Sequence, residues 1–284
     1  MSHLPRAIAR RVSTPPPEPG FAGPGHTAVE VLTPRAPMET DPFVLLMDDR
    51  LDFTPGRQVG GAHPHAGLET VTLVLEGSLF DRDEGLLSQG EVVWMTAGRG
   101  IVHNESVEGR GPVRVLQAWI ALRPEQRDSA PGFQVLRATE VPVRREPGVV
   151  ARLYSGTTGE LTSTTRNLVP TTLVEFELAA NAGVLQLLPQ HYSGFLYVVA
   201  GSVRVDDVTL ETGDVGHLAS PGGSHLELHA GPEGGRVVLY AGEPIGAPIV
   251  QYGPFVAGSL PEIQHLYSRY RNEGFTRLSS LEPS

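Results

Sequence analysis

"LVLEGSLFDRD", residues 73–83, returns in altered form as "YVVAGSVRVDD", residues 197–207. In each, an apolar run meets Gly-Ser at a turn, and a second run ends in Asp. The two lie 124 residues apart (197 − 73). A second pair, "LSQGEVVWMTAG" from Leu87 and "LETGDVGHLASPG" from Leu210, repeats at 123 (210 − 87), which amounts to one residue of loop length. A solenoid unit spans about 20–50 residues, so a period this long signals a duplicated domain. The apolar segments inside each copy are short and bounded by Gly, Pro, Asp or Asn: "TVTLVLEG", "EVVWMTAG" and "RVLQAWIAL" in the first, "LVEFELAA", "GFLYVVAG" and "RVVLYAG" in the second. Such segments read as strands, and short strands at regular spacing build barrels or sandwiches. The expectation is an all-β chain of two such units.

The division expected is an N-terminal arm over residues 1–25, a first unit over 26–140 and a second over 141–284. Pro15, Pro16, Pro17 and Pro19 read as a stiff linker or, preferably, as an irregular entry into the first strand. Helical periodicity is confined to "SLPEIQHLYSRYRNEGF" near the end. There Ser259 is placed as N-cap ahead of Pro261, Ile263, Leu266 and Tyr270 recur at spacings of three and four, and Gly274 stops the helix.

Composition narrows the function. The chain has 284 residues, 40% of them hydrophobic and 19% charged, enough apolar surface to fold. Its formal charge of −10 argues against a surface that neutralises phosphates, so direct nucleic-acid binding is not expected; a small molecule or a protein is the expected partner. There is no cysteine, which removes disulfides, thiolate metal sites and cysteine nucleophiles. All 22 basic residues are arginine, which removes Schiff-base lysines and the lysine of a phosphate-binding loop. No secretory h-region and no membrane-length apolar stretch is visible, so a cytoplasmic protein is expected, and a monomer is expected because a duplicated unit can pair its two copies within one chain.

The chemistry is concentrated in "GAHPHAGLETVTLVLEG", residues 61–77. His63 and His65 stand at i and i+2, so on a strand both imidazoles leave one face. Thirty-eight residues after His65, "GRGIVHNESV" supplies His103 and Glu105 at the same spacing. Two such pairs on neighbouring strands would bring three imidazoles and a carboxylate to one divalent first-row ion, with room for dioxygen or a substrate oxygen. Fe(II) is the expected metal, and the donor set also accepts Mn, Ni, Cu and Zn. Glu69, four residues beyond His65 with the same parity, is a rival carboxylate ligand or a hydrogen-bond support for a ligating imidazole.

His-x-His followed by Glu, with a glycine closing the hairpin, resembles the cupin signature. More narrowly the chain resembles the pirins, through "DPFVLLMDD" from Asp41, "HPHAGLETVTLVLEG" from His63, "GEVVWMTAGRGIVHNE" from Gly90 and "GEPIGAPIVQYGPFV" from Gly242. The resemblance implies a bicupin of two jelly-roll barrels, with non-haem iron held in the first by His63, His65, His103 and Glu105. It places Glu69 outside the metal's ligands. The chain departs from the family where pirins commonly continue with His-Arg-Asp; here Phe80, Asp81, Arg82 and Asp83 stand, a change expected at the pocket rim.

Counted back from the glycine after each strand, the second copy has Leu187 and Pro189 at the positions of His63 and His65. Neither binds metal, and His225, His229 and Glu227 make a poor substitute, so the second unit is expected to be structural or to serve interaction. Gly98, Arg99 and Gly100 read as a tight turn rather than an anion site. Two functions follow from the resemblance. One is a dioxygenase of the quercetin 2,3-dioxygenase type, in which Glu105 is the base that takes a hydroxyl proton from a chelating, flavonol-like substrate. The other is an iron-dependent, redox-sensing regulator that binds a protein partner, as transcriptional co-regulator or enzyme modulator.

Overall fold

The computed structural model describes residues 4–33, 37–52, 58–105, 107–109 and 111–283, with the backbone alone at 58–59 and 107–109. Strands dominate, and the one α-helix among the described residues is Leu260–Asn272. Among the described residues no helix is long and apolar enough to cross a membrane. The chain forms two compact units with a sequence boundary near residue 140, but the ends cross over. The described residues up to 14 join 141–166 and 170–244, whereas 15–140 join 167–169 and 245–284.

Both crossovers differ from the division read in the sequence, and each has a physical cause. Ile8–Ser13 is an antiparallel partner of Asp214–Leu218, with Val12 opposite Val215. The buried Arg6 guanidinium fixes this segment further by donating to the carbonyls of Gly223, Tyr192, Pro189 and Gln190 at 2.6–3.0 Å. At the other end the helix has the expected N-cap, with the Ser259 hydroxyl accepting from the Glu262 amide. Its apolar face, Ile263, Leu266, Tyr267 and Tyr270, packs on Ala66, Phe255 and Ala257, and so belongs to the unit that contains His65.

The two units repeat one strand order. In the first, Val92–Thr96, Leu68–Glu76, Val113–Ala121 and Phe43–Leu51 lie side by side within a seven-stranded sheet. Asp214–Leu218, Ser193–Val205, His225–Gly242 and Thr171–Leu178 do so within a nine-stranded sheet in the second. Two-residue periodicity supplies each interior: Val149, Ala151 and Leu153 meet Val174, Phe176 and Leu178 in the second unit's core. Burying each of these valine, leucine and phenylalanine side chains fully contributes about 1.5–3 kcal/mol.

The Gly-Ser pairs that mark the repeat are bends, not hairpin tips. Ser193–Val205 runs unbroken through Gly201, and the reversal falls after Val205, where Val205 faces Val208. Glycine is needed at both bends because φ is +77° at Gly77 and +68° at Gly201. A side chain there would also strike the Pro112 or Gly234 carbonyl, 2.3 Å from the Cβ position in each case.

Asp214 ties the N-terminal strand to its partner. It accepts from the Ser13 hydroxyl at 2.6 Å and the Glu211 amide at 2.7 Å, and it pairs with Arg11 at 2.6 Å. Although burial acts to raise it, these contacts hold its pKa below the ordinary carboxylate value. Asp214→Ala is expected to destabilise the protein by about 3 kcal/mol in chemical denaturation at pH 7. A depressed carboxylate stabilises only while ionised in the fold, so the gap from wild type should shrink as pH falls below about 4.

Candidate metal centre

His63 and His65 lie on the short strand Ala62–His65, and His103 lies on Ile101–Asn104. These strands pair antiparallel with His63 opposite His103 and His65 opposite Ile101. The register brings one nitrogen of each imidazole within 4.8 Å of the other two. Ring centroids are 4.4–5.1 Å apart, and the Nε2 atoms of His63 and His103 are separated by 2.9 Å. Nitrogens bound at about 2.1 Å to one ion, at right angles, are separated by about 3 Å. Glu105 flanks the cluster with Oε2 at 3.6 Å from His63 Nε2, while its Oε1 accepts from the Gln117 amide at 3.1 Å.

The electrostatics fit a cation. His65 is 2% exposed, and among the described residues neither ring nitrogen has a partner in hydrogen-bond geometry. The Pro254 carbonyl is near enough to favour the charged ring slightly, but burial, then His103 and His63, hold its pKa well below normal. His63 is lowered too, chiefly by burial. Burial also pushes His103 down, but the surrounding Glu84, Glu105 and Asp81 outweigh it and lift the pKa to about 9. Buried unpartnered imidazoles cost free energy, and carboxylates crowded around them favour positive charge. A divalent ion answers both, so the residues fit a metal.

Glu84 was not singled out in the sequence. Its carboxylate is buried 3.8 Å from His103 Nδ1, the place of the carboxylate that orients a ligating histidine. The turn that carries it is held by Asp81, which accepts from the amides of Asp83 and Glu84, while Asp83 accepts from the Asn104 amide. This is the stretch where the family's histidine is missing. Phe80 is not among the residues lining the adjoining cavity, whereas Leu79, Asp81 and Glu84 are. Burial and Glu84 push Asp81 up to about 7.

Glu69 does not join the cluster. Parity fails as a guide because the chain breaks between strands at Gly67, where φ is +76°. Glu69 is fully buried on Leu68–Glu76 and accepts from the Thr96 hydroxyl and the amides of Leu168 and Val169. Arg99 sits in a turn whose amide donates to the Ser129 carbonyl.

The second unit has no counterpart among the described residues. Leu187 pairs with His225 but is 51% exposed, and the inward positions are Val184, Leu188, Leu226 and Leu228. Gln186, buried among them, is satisfied by Thr158 and by the carbonyls of Thr157 and Leu187. His229 is half-buried beside Glu227, and His191 is exposed beside Glu243.

Two repeated β units, an imidazole cluster in the first and an apolar interior in the second, define a bicupin. Residues 27–120 match the Pirin family and residues 173–276 the Pirin C-terminal cupin domain. Pirin of Mus musculus is 34% identical over 243 residues, spanning 82% of each chain. A solved structure from Geobacillus kaustophilus is 36% identical and covers 87% of this chain and 99% of its own, with a TM-score of 0.76. A quercetin 2,3-dioxygenase from Acinetobacter baumannii is 25% identical and covers 94% and 97%, with a TM-score of 0.85. The chain belongs to the pirin family of the cupin superfamily.

Glu84→Gln keeps the shape of the side chain and removes its charge from beside His103. Metal affinity, measured by competition with a chromophoric chelator, is expected to fall about 10–100-fold while the thermal unfolding of the metal-free protein changes little. Unchanged affinity would remove Glu84 from the site.

Proposed function

We propose that the protein is a metal-dependent dioxygenase of the quercetin 2,3-dioxygenase type, with His63, His65, His103 and Glu105 as ligands of Fe(II). The observation that carries this reading is the convergence of three imidazoles, one buried without a partner, beside a carboxylate at the edge of a largely apolar cavity. Likeness in fold to the Acinetobacter quercetin 2,3-dioxygenase supports it. The metal, when bound, supplies Lewis acidity and a redox-active centre for dioxygen chemistry.

The chain's own residues supply the rest. Glu105 lies where cavity and imidazoles meet, with one oxygen held by Gln117. It is placed to take the proton of a substrate hydroxyl as the enolate forms. Glu84 and Asp81 set the charge and orientation of His103. Trp119 packs edge-on against His65 at 5.1 Å and keeps that side of the cluster dry.

Dioxygen uptake by anaerobically Fe(II)-loaded protein on addition of quercetin tests the reading. Wild type is expected to consume dioxygen, and His63→Ala to lose both iron and uptake. Glu105→Gln is expected to keep much of the iron yet slow turnover by at least about 100-fold. A protein that holds iron stoichiometrically but consumes no dioxygen would contradict the assignment.

A further inference from the structure

The interior of the first unit contains a cavity enclosing about 570 Å³, its open mouth included. Its lining is sharply divided. Leu51, Leu79, Leu87 and Val115 form apolar walls, and Asp49, Asp81, Glu84 and Glu105 add carboxyl groups. Among the described residues no arginine lines it. One end reaches the metal centre, because Glu105 is 3.6 Å from His63 Nε2. Leu79 and Asp81 are buried, whereas Phe21, which lines the same cavity, is 78% exposed, so the cavity runs outward to Phe21.

Away from the metal ligands stands a second polar pair that the proposed chemistry leaves unused. His26 and Asp49 are on neighbouring strands, where His26 faces Leu51 and Ala28 faces Asp49. The Ala22 amide donates to His26 Nδ1 at 3.2 Å, which leaves the proton on Nε2 to donate to Asp49 Oδ1 at 2.7 Å. The Phe21 ring meets the His26 ring edge-on, with centroids 5.2 Å apart. An aromatic face, a fixed carboxylate and apolar walls therefore adjoin one another in a single cavity.

We infer that Phe21 and the His26–Asp49 pair form a recognition subsite for a neutral, planar, hydroxylated aromatic ring. The aromatic face stacks on the ring, Asp49 accepts a hydrogen bond from its hydroxyl, and the acidic lining disfavours ligands that carry a carboxylate. The inference rests on the reading of the metal centre as a site for chelating aromatic substrates, and it assigns the part of such a ligand that does not touch the metal.

Binding, not turnover, is the test. Quercetin is titrated into metal-loaded protein and followed by its own absorbance, with a small 3-hydroxy-4-pyranone that lacks the extra aryl ring as control. Phe21→Ala, at an exposed position, is expected to weaken quercetin about fivefold and to leave the pyranone and metal content unchanged. Asp49→Asn keeps an oxygen to accept from His26 and is expected to weaken quercetin about tenfold, again without effect on the pyranone. Either variant binding quercetin as wild type does, or losing both ligands equally, would overturn the subsite. So would a wild type that binds no flavonol. A wild type that binds quercetin through Phe21 and Asp49 but never consumes dioxygen would uphold the subsite and sink the dioxygenase reading alone.

Discussion

The metal centre depends on the register between Ala62–His65 and Ile101–Asn104. With His63 opposite His103, three imidazoles leave one face of a narrow strand pair. Side chains alternate strictly along a strand, so a slip of one residue would send either set to the opposite face. Much of the first unit holds this register. Thr276–Arg277 extends the pair from the C-terminal segment, Ala66 bridges to Phe255 directly after His65, and the Asp83 carboxylate clamps Asn104. Without an ion the arrangement is unfavourable, because a buried imidazole lacking partners forfeits about 1–3 kcal/mol of hydration. A bound cation offsets that cost.

The two units show how one strand order diverged into two roles. The first has room inside: its interior carries carboxylates, an imidazole cluster and a cavity. In the second, aliphatic side chains take the corresponding space, and the buried glutamine among them is satisfied by its neighbours. A well-packed apolar interior stabilises, whereas a polar cavity costs stability and persists where function requires it. The chain ends are distributed so that the C-terminal helix and strand support the metal-binding unit and the N-terminal strand completes the other.

Much of this was legible in the sequence, and what was not shares a cause. The repeat, the strand-rich character and the two histidine pairs were readable because each rests on a local period of two or on direct self-similarity. The terminal helix was readable from Ser259 and its apolar spacing, yet its partner was not, since Ala66 and Phe255 lie far apart in the chain. The pairing of Ile8–Ser13 with Asp214–Leu218 spans some 200 residues and left no local trace. Parity misplaced the interest of Glu69 because it assumed a strand unbroken through Gly67. Glu84 and the His26–Asp49 pair were invisible for the same reason: each gains meaning only from a hairpin or strand register that brings it beside its partner.

A metal centre at this strand pair requires that one ion be bound by these particular side chains. X-ray absorption at the metal edge, on stoichiometrically loaded wild type and on His65→Ala, reads that directly. Wild type is expected to show the multiple-scattering pattern of three imidazoles together with oxygen ligands, and the variant to lose an imidazole or the metal itself. A wild-type spectrum with no imidazole scattering, or one unchanged in the variant, would place the metal elsewhere and contradict a centre built on these histidines.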